Sequence, residues 1–462
     1  MMEAAGRLQA GARVPPMPRG HWLFGNGPEA SSDPIGFYMR AWQELGEVVM
    51  LTALRKYKWY LVVNPSGVER VLQTNQSNYR KPPVFKKSVG LVTGRGLVTS
   101  EGDFWRRQRR LAQPAFHRQR LALLGETMTR AAFEMTERWG RTYARTGETF
   151  DVAEEMTALT VRIAAETLFG ADISGDSAEF SAALKVALAH VGRRMRTPFN
   201  LPEFVPTARN RRFNAARRTL DRVVFRIIEG RRRDAADRGD LLSMLMLARD
   251  EETGEAMDDR QVKDEVMTLL IAGHETTAAG LAWGWYLLWG SPRVRGRLRA
   301  ELSEVLGGRA PGVEDLPRLA YTRQVFEETM RLYPPAWGQP RESVAEDEIG
   351  GFRIEAGRLV LVSQYLTHRH PDFWERPEEF EPERFEPERA ARRPRFAYFP
   401  FGGGARQCIG NHFALMEAQL VLATVAQQCF PEVPEGHRPR LDPTFSLRPL
   451  GGVPVSLAPR ST

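Results

Sequence analysis

The sequence predicts a mainly α fold with a minor β region, folded as a single domain over residues 1–462. Three observations lead there. Apolar residues recur at helical spacing over most of the chain. Strand-like runs are few and short, and they flank the helical mass. No internal repeat and no linker divides the chain.

In chain order, residues 1–20 read as a flexible lead-in that ends in the Pro-rich PPMPRG. Helical patterns follow at 34–46, 66–75, 103–112, 118–145, 151–170, 178–195, 208–234 and 239–250. They continue at 258–290, 292–306, 316–332 and 411–428. Strand-like pieces are EVVMLTAL (47–54), KWYLVVN (58–64), FRI (352–354) and RLVLVSQ (358–364), and the glycine pair at 350–351 suits a turn between short strands. Residues 367–410 show no clear period and are full of Pro, Arg, Glu and aromatics. An irregular stretch of that length inside a compact domain is usually functional.

Composition removes several classes. A chain with 42% hydrophobic and 10% aromatic residues can bury a sizeable core, so it is not a disordered protein. Two cysteines, Cys408 and Cys429, rule out a disulfide scaffold and point to a reducing, cytoplasmic setting. The N-terminus has no apolar run, so neither a signal peptide nor a transmembrane anchor is expected. The net charge of +8 comes from arginines clustered at 104–120 and 193–233. No nucleic-acid motif accompanies them, so nucleic acid is not expected, and a solvated helix face, anionic lipid or an acidic protein remain the readings.

The chemistry concentrates in FGGGARQCIG, residues 401–410. An amphipathic helix follows, so Cys408 stands at a helix N-terminus, where the dipole and unpaired N–H groups stabilise a thiolate. Gly402, Gly403, Gly404 and Gly410 remove side chains on either side and let a flat object approach the backbone. Arg406 can reach an anion on that object, and Phe401 offers an aromatic face. A flat, anionic, iron-bearing group held by one thiolate is haem. Cys429, in VAQQCFPE, has no such surroundings and reads as a core thiol.

The run F-x-x-G-x-R-x-C-x-G from Phe401 to Gly410 resembles the haem-binding loop of the cytochrome P-450 family, the soluble bacterial thiolate-haem monooxygenases. Three further motifs stand in the family's order. LLIAGHETTAAG matches A-G-x-[DE]-T-T from Ala272 and Gly273 to Thr277. The resemblance implies that Thr276 holds dioxygen and its protons and that Glu275 gates proton delivery. Threonine hydroxyls that bond back to the preceding turn are expected to bend or widen this helix. FEETMRLYPP and FEPERF match E-x-x-R and its partner, which implies a structural cluster of Glu328, Arg331 and Arg384. DFWRRQRR matches W-x-x-x-R, so Trp105 and Arg109, with Arg341 and Arg406, are the implied holders of the haem propionates. His117 and His368 receive no role. The family's fold is a helical prism with small sheets, with haem b (iron protoporphyrin IX) between the central long helix and the helix after the cysteine loop.

The resemblance implies hydroxylation or epoxidation with O2 and two electrons. No nicotinamide, flavin or iron–sulfur motif is visible, so electrons must come from a separate ferredoxin or flavodoxin and its reductase. The arginines at 106–120, with Arg406 and His412, are the expected docking face, and the protein is expected to be a monomer. Val84, Phe85, Leu91, Val92, Thr268, Ala336, Trp337 and Phe445 are the expected, mostly apolar pocket lining, which suits a fatty acid, terpenoid, steroid or polyketide. The segment 197–207 is the expected cap on the access channel. A peroxide-driven peroxygenase would not need Glu275 and Thr276, a thiolate-haem sensor would not need an apolar pocket, and a cysteine hydrolase lacks a partner histidine.

Overall fold

The computed structural model describes residues 12–54, 57–172, 175–197, 200–234, 238, 240–249 and 254–457. The chain is mostly helical with small sheets, and it separates into two compact units.

The first unit contains the chain up to Lys86, Arg331–Glu379 and Pro387–Cys408. Its centre is a five-stranded sheet. Val48–Ala53 pairs antiparallel with Tyr57–Val62, which runs parallel to Leu359–Val362. Gln339–Ser343 joins antiparallel to Leu359–Val362, and Tyr79–Arg80 closes the edge. The apolar faces of these strands bury Val48, Tyr60, Val62, Val360 and Val362 against Val68, Leu72, Phe396 and Phe399. Burial of such a cluster is the main source of this unit's stability. The expected turn at Gly350–Gly351 lies between the paired strands Asp347–Ile349 and Phe352–Ile354, and both glycines have positive φ.

Two expectations are corrected in this unit. The lead-in is not loose from Arg13 onward. Arg13 exchanges backbone hydrogen bonds with Gly351 and Arg353, and the Pro16 carbonyl accepts from Met50, so those peptide groups are paired into the sheet region. Residues 1–11 lie outside the described residues. The helix expected at 66–75 is α-helical only over Pro65–Glu69. It then widens over Arg70–Thr74, where the Asn75 N–H reaches back five residues to the Arg70 carbonyl at 2.9 Å.

The second unit contains Lys87–Met330, Phe380–Glu386 and the chain after Ile409. Its axis is the 31-residue helix Asp259–Trp289, started by a capping box between Asp258 and Gln261. Val152–Phe169 and Asn411–Gln428 pack along it, while Ser177–Arg196 pairs with Ala208–Asp234.

The helix expected at 118–145 is interrupted, with Arg118–Ala122 and Gly125–Thr146 separated by Leu123 and Leu124. The break lets Gly125 press against Val313, where any Cβ would collide. The helix expected at 316–332 starts only at Ala320, because Asp315 is spent on a preceding turn and Pro317 follows it. The helix expected at 239–250 shortens to Leu241–Leu247, capped by Asp240 on the Ser243 N–H. Sequence reasoning missed the helix Pro83–Thr93 and the short pairs Arg440–Asp442 with Arg448–Leu450 and Phe150–Asp151 with Pro454–Val455. No helix among the described residues is long and apolar enough to cross a membrane.

Candidate functional site

The cysteine loop belongs to the first unit. Cys408 is exposed, and its N–H donates to the Phe401 carbonyl at 2.9 Å, which closes the loop on itself. Gly402 and Gly404 take φ of +70° and +63°. A side chain on Gly404 would collide with the Leu72 carbonyl, so that position requires glycine for both reasons. The helix after the loop begins at Asn411, three residues beyond the sulfur, with Gly410 at its N-cap.

His368, which sequence reasoning left without a role, is fully buried, and its Nε2 accepts the Phe399 N–H at 2.9 Å, just ahead of the loop. The signal that could have found it is a histidine in an otherwise irregular stretch. Arg341 is buried on the strand Gln339–Ser343, and its guanidinium donates to the Pro340 carbonyl and Gln339 Oε1. Arg406 is half-buried at the end of the turn Gly404–Arg406. Trp337 stacks on Tyr38, with ring centroids 6.4 Å apart, while Val84 is exposed and Phe85 and Ala336 are half-buried.

The second unit holds the AGHETT segment. The long helix is buried along most of its length, yet Ala272 is exposed and Gly273 and Thr276 are only half-buried. Thr276 Oγ1 donates to the Ala272 carbonyl at 2.9 Å, and Thr277 Oγ1 to the Gly273 carbonyl at 3.2 Å. The expected widening is absent, and the segment stays α-helical.

Glu275 is buried and accepts the Ser446 hydroxyl at 2.7 Å, with Arg448 Nη1 at 3.9 Å. His274 is fully buried with Nδ1 at 2.7 Å from the Leu270 carbonyl. Burial pulls its pKa down, so the ring is neutral. Sequence reasoning also missed Glu417. It is fully buried on Asn411–Gln428 beside the Thr277 hydroxyl, and burial pushes its pKa well above the usual carboxylate range. A lone glutamate inside ALMEAQLVL was the available signal.

Trp105 and Arg109 share a face of Gly102–Ala112, with the guanidinium 5.9 Å from the indole ring centroid. Of the predicted lining residues in this unit, Leu91 and Phe445 are half-buried. Val92 and Thr268 are turned inward, at 3% and 1% exposure, and the Thr268 hydroxyl contacts the Thr93 carbonyl at 3.5 Å. Cys429 is half-buried, so it is less enclosed than a core thiol.

The structural trio divides its work. Arg331, fully buried, donates to the carbonyls of His368 and Pro377 at 3.0 and 2.6 Å and of Glu379 at 3.0 Å. Glu328, also fully buried, accepts the Glu381 N–H at 3.0 Å and lies 3.3 Å from Arg384 Nε. Arg384 also faces Glu381 at 3.2 Å.

The expected docking cations need one correction. Arg107 is largely covered because it turns onto Glu255, bonding its carboxylate at 3.1 Å and its carbonyl at 3.2 Å. The second arginine cluster is extensively paired, as in Arg194–Glu203 at 2.5 Å, Arg222–Glu179 at 2.7 Å and the buried Arg231–Asp240 at 2.5 Å. In the segment 197–207, residues 198 and 199 lie outside the described residues, and Leu201 and Phe204 are exposed.

These residues fit a haem. An exposed cysteine sulfur sits in a loop whose Gly402, Gly403 and Gly404 leave no room for a side chain, and elsewhere a buried helix exposes a small-residue patch next to a hydroxyl.

The family described as Cytochrome P450 matches residues 15–453. Cyclooctatin synthase of Streptomyces melanosporofaciens is 42% identical over 399 residues, covering 86% of each chain. Cyclooctat-9-en-7-ol 5-monooxygenase of the same organism is 40% identical over 375 residues, covering 80% of this chain and 79% of its own. Pentalenene oxygenase of Streptomyces avermitilis is 33% identical over 392 residues, covering 85% and 84%. The crystal structure of the cytochrome P450DA heme domain superposes with a TM-score of 0.87 at 28% identity, covering 97% of this chain and 99% of that one.

Proposed function

From the premise that the chain belongs to the cytochrome P450 family and is a monooxygenase with haem b as its cofactor, we propose that it inserts one oxygen atom from O2 into a terpenoid. Three relatives carry names of terpenoid-derived products or substrates, and this supports the terpenoid class over a fatty acid, steroid or polyketide. The observation that carries the reading is the exposed Cys408 in its glycine-bounded loop. The bound haem supplies the oxidation of C–H or C=C bonds, and the protein's own residues position and protonate.

In this reading Cys408 would hold the haem iron, and Arg109, Arg341, Arg406 and the Trp105 indole would hold the two propionates. Phe401, Gly402 and Gly410 would line the cradle around Cys408, and the small side chains of Ala272 and Gly273 would leave room for O2. Thr276 presents the hydroxyl that hands on a proton, and Glu275 is its acidic neighbour on the helix. Glu328, Arg331 and Arg384 hold the irregular segment that leads to Cys408. Val84, Phe85, Leu91, Val92, Thr268, Ala336, Trp337 and Phe445 are the candidate substrate contacts.

The same reading takes 1–462 as one functional haem domain, cytoplasmic and monomeric, reduced by a separate ferredoxin or flavodoxin and its reductase. The acid–alcohol pair Glu275–Thr276 favours O2 with reductant over a peroxide-driven peroxygenase. The test is incubation of the reconstituted enzyme with cyclooctat-9-en-7-ol, a ferredoxin, its reductase and nicotinamide cofactor. A product one oxygen atom heavier, with labelled O2 as its source, is expected. Product formed with peroxide alone and none with O2 and reductant would overturn the O2-dependent reading.

A further inference from the structure

Asp264 and Glu265 stand two turns before the AGHETT segment on the long helix and have no part in the scheme above. Both are buried, at 5% and 1% exposure. Consecutive carboxylates inside a core are costly unless strongly hydrogen-bonded. Here they are spent on one loop. Asp264 Oδ2 accepts the Arg95 N–H at 2.8 Å, and Glu265 Oε2 accepts the Leu97 N–H at 3.0 Å.

The sequence TGRGLVTS is fitted to that contact. A side chain on Gly94, which has φ +56°, would land on the Asp264 carboxylate, and one on Gly96 would land on the Thr268 hydroxyl. The loop is also tied internally, since Thr99 Oγ1 donates to the carbonyls of Gly94 at 2.8 Å and Gly96 at 3.2 Å. The Arg95 side chain is held over the Phe104 ring, 4.3 Å from its centroid. At the same turn of the long helix, Lys263 Nζ lies 2.8 Å from Asp221 on the helix Ala208–Asp234 and 3.7 Å from Asp264.

We infer that Asp264 and Glu265 are positioning residues that clamp the 94–97 backbone and so fix the end of the helix Pro83–Thr93, which sets how well a bulky ligand fits. This rests on the reading of Val84, Phe85, Leu91 and Val92 as substrate contacts. Backbone N–H bonds to carboxylates are stronger than bonds to neutral acceptors, so two of them on one short loop hold it in a single position.

The test uses the haem-loaded full chain and three variants. Asp264→Ala/Glu265→Ala removes both acceptors. Gly96→Ala pushes the loop off while leaving the carboxylates intact. Asp264→Asn/Glu265→Gln keeps neutral acceptors of the same shape. Two measurements are made on each.

The first is amide hydrogen exchange over 94–98. Both alanine variants are expected to exchange about ten- to a hundredfold faster than the wild type, and the amide variant to fall between. The second is the affinity ratio of 4-phenylimidazole to imidazole, read from the Soret band. Imidazole needs only the iron, whereas the phenyl group needs those contacts in place. The ratio is expected to fall about tenfold in both alanine variants and to recover in the amide variant.

Wild-type exchange rates in both alanine variants would overturn the clamp. Faster exchange with an unchanged ratio would overturn the positioning role. If the wild type itself gave no Soret response to imidazole, the haem reading would fail, while the exchange measurement would still decide whether the clamp exists.

Discussion

Replacing Glu328 tests how the irregular segment ahead of the cysteine is held. The carboxylate has no solvent exposure, lies 3.3 Å from Arg384 Nε and accepts the Glu381 N–H at 3.0 Å. Removing one member of a buried pair costs about 3–5 kcal/mol, because a desolvated charge is left behind. Orphaning the Glu381 amide adds about 1–3 kcal/mol if water cannot reach it. Arg384 keeps Glu381 at 3.2 Å as a second carboxylate, which lowers the first cost. Glu328→Ala should therefore destabilise by about 3–4 kcal/mol. Glu328→Gln keeps the shape and an acceptor for the amide while losing the charge, so about 1–2 kcal/mol is expected. Urea unfolding followed by tryptophan fluorescence, with haem retention measured on the same samples, reads both. A loss below about 1 kcal/mol for the alanine variant would refute the claim that this buried pair holds the segment.

Two other outcomes follow from the geometry. Thr276→Ala should leave haem content and ligand affinity unchanged while lowering turnover by about a hundredfold, the scale of a lost proton-transfer group. Steady-state rates beside binding titrations check it, and equal losses in both would argue for a structural effect. The Glu383 carboxyl is partly desolvated, which alone would raise its pKa, but Arg293 at 2.5 Å and the Tyr321 hydroxyl outweigh this and hold it down at about 2. A depressed folded-state pKa contributes stability above the ordinary glutamate value, and that stability is lost as pH falls from the ordinary value toward 2. Glu383→Gln should therefore lose stability at neutral pH and show a flatter acid-unfolding profile. An unchanged profile would count against the pairing.

How far the sequence could be read depended on where each signal lay. The long helix and the AGHETT segment were legible because an apolar run of that length with two threonines has few alternatives. The cysteine loop was legible from its glycines, Phe401, Arg406 and the cysteine together. The helix Pro83–Thr93 was hidden because Lys86, Lys87 and Gly90 interrupt its apolar pattern. The strands Gln339–Ser343 and Tyr79–Arg80 were missed because their partners lie far off in sequence, and edge pairing leaves little local pattern. Glu265, Glu417 and His368 were passed over despite such signals as the lone glutamate in ALMEAQLVL, since a buried polar side chain looks like a surface one until its neighbours are known.

The central claim is that the Cys408 thiolate holds haem iron. The carbon-monoxide-bound ferrous spectrum of the purified chain tests it most directly. A Soret band displaced to the red in the wild type and lost in a folded Cys408→Ala variant is the predicted result. The same displaced band in that variant, or its absence from natively folded wild type supplied with haem, would contradict the account.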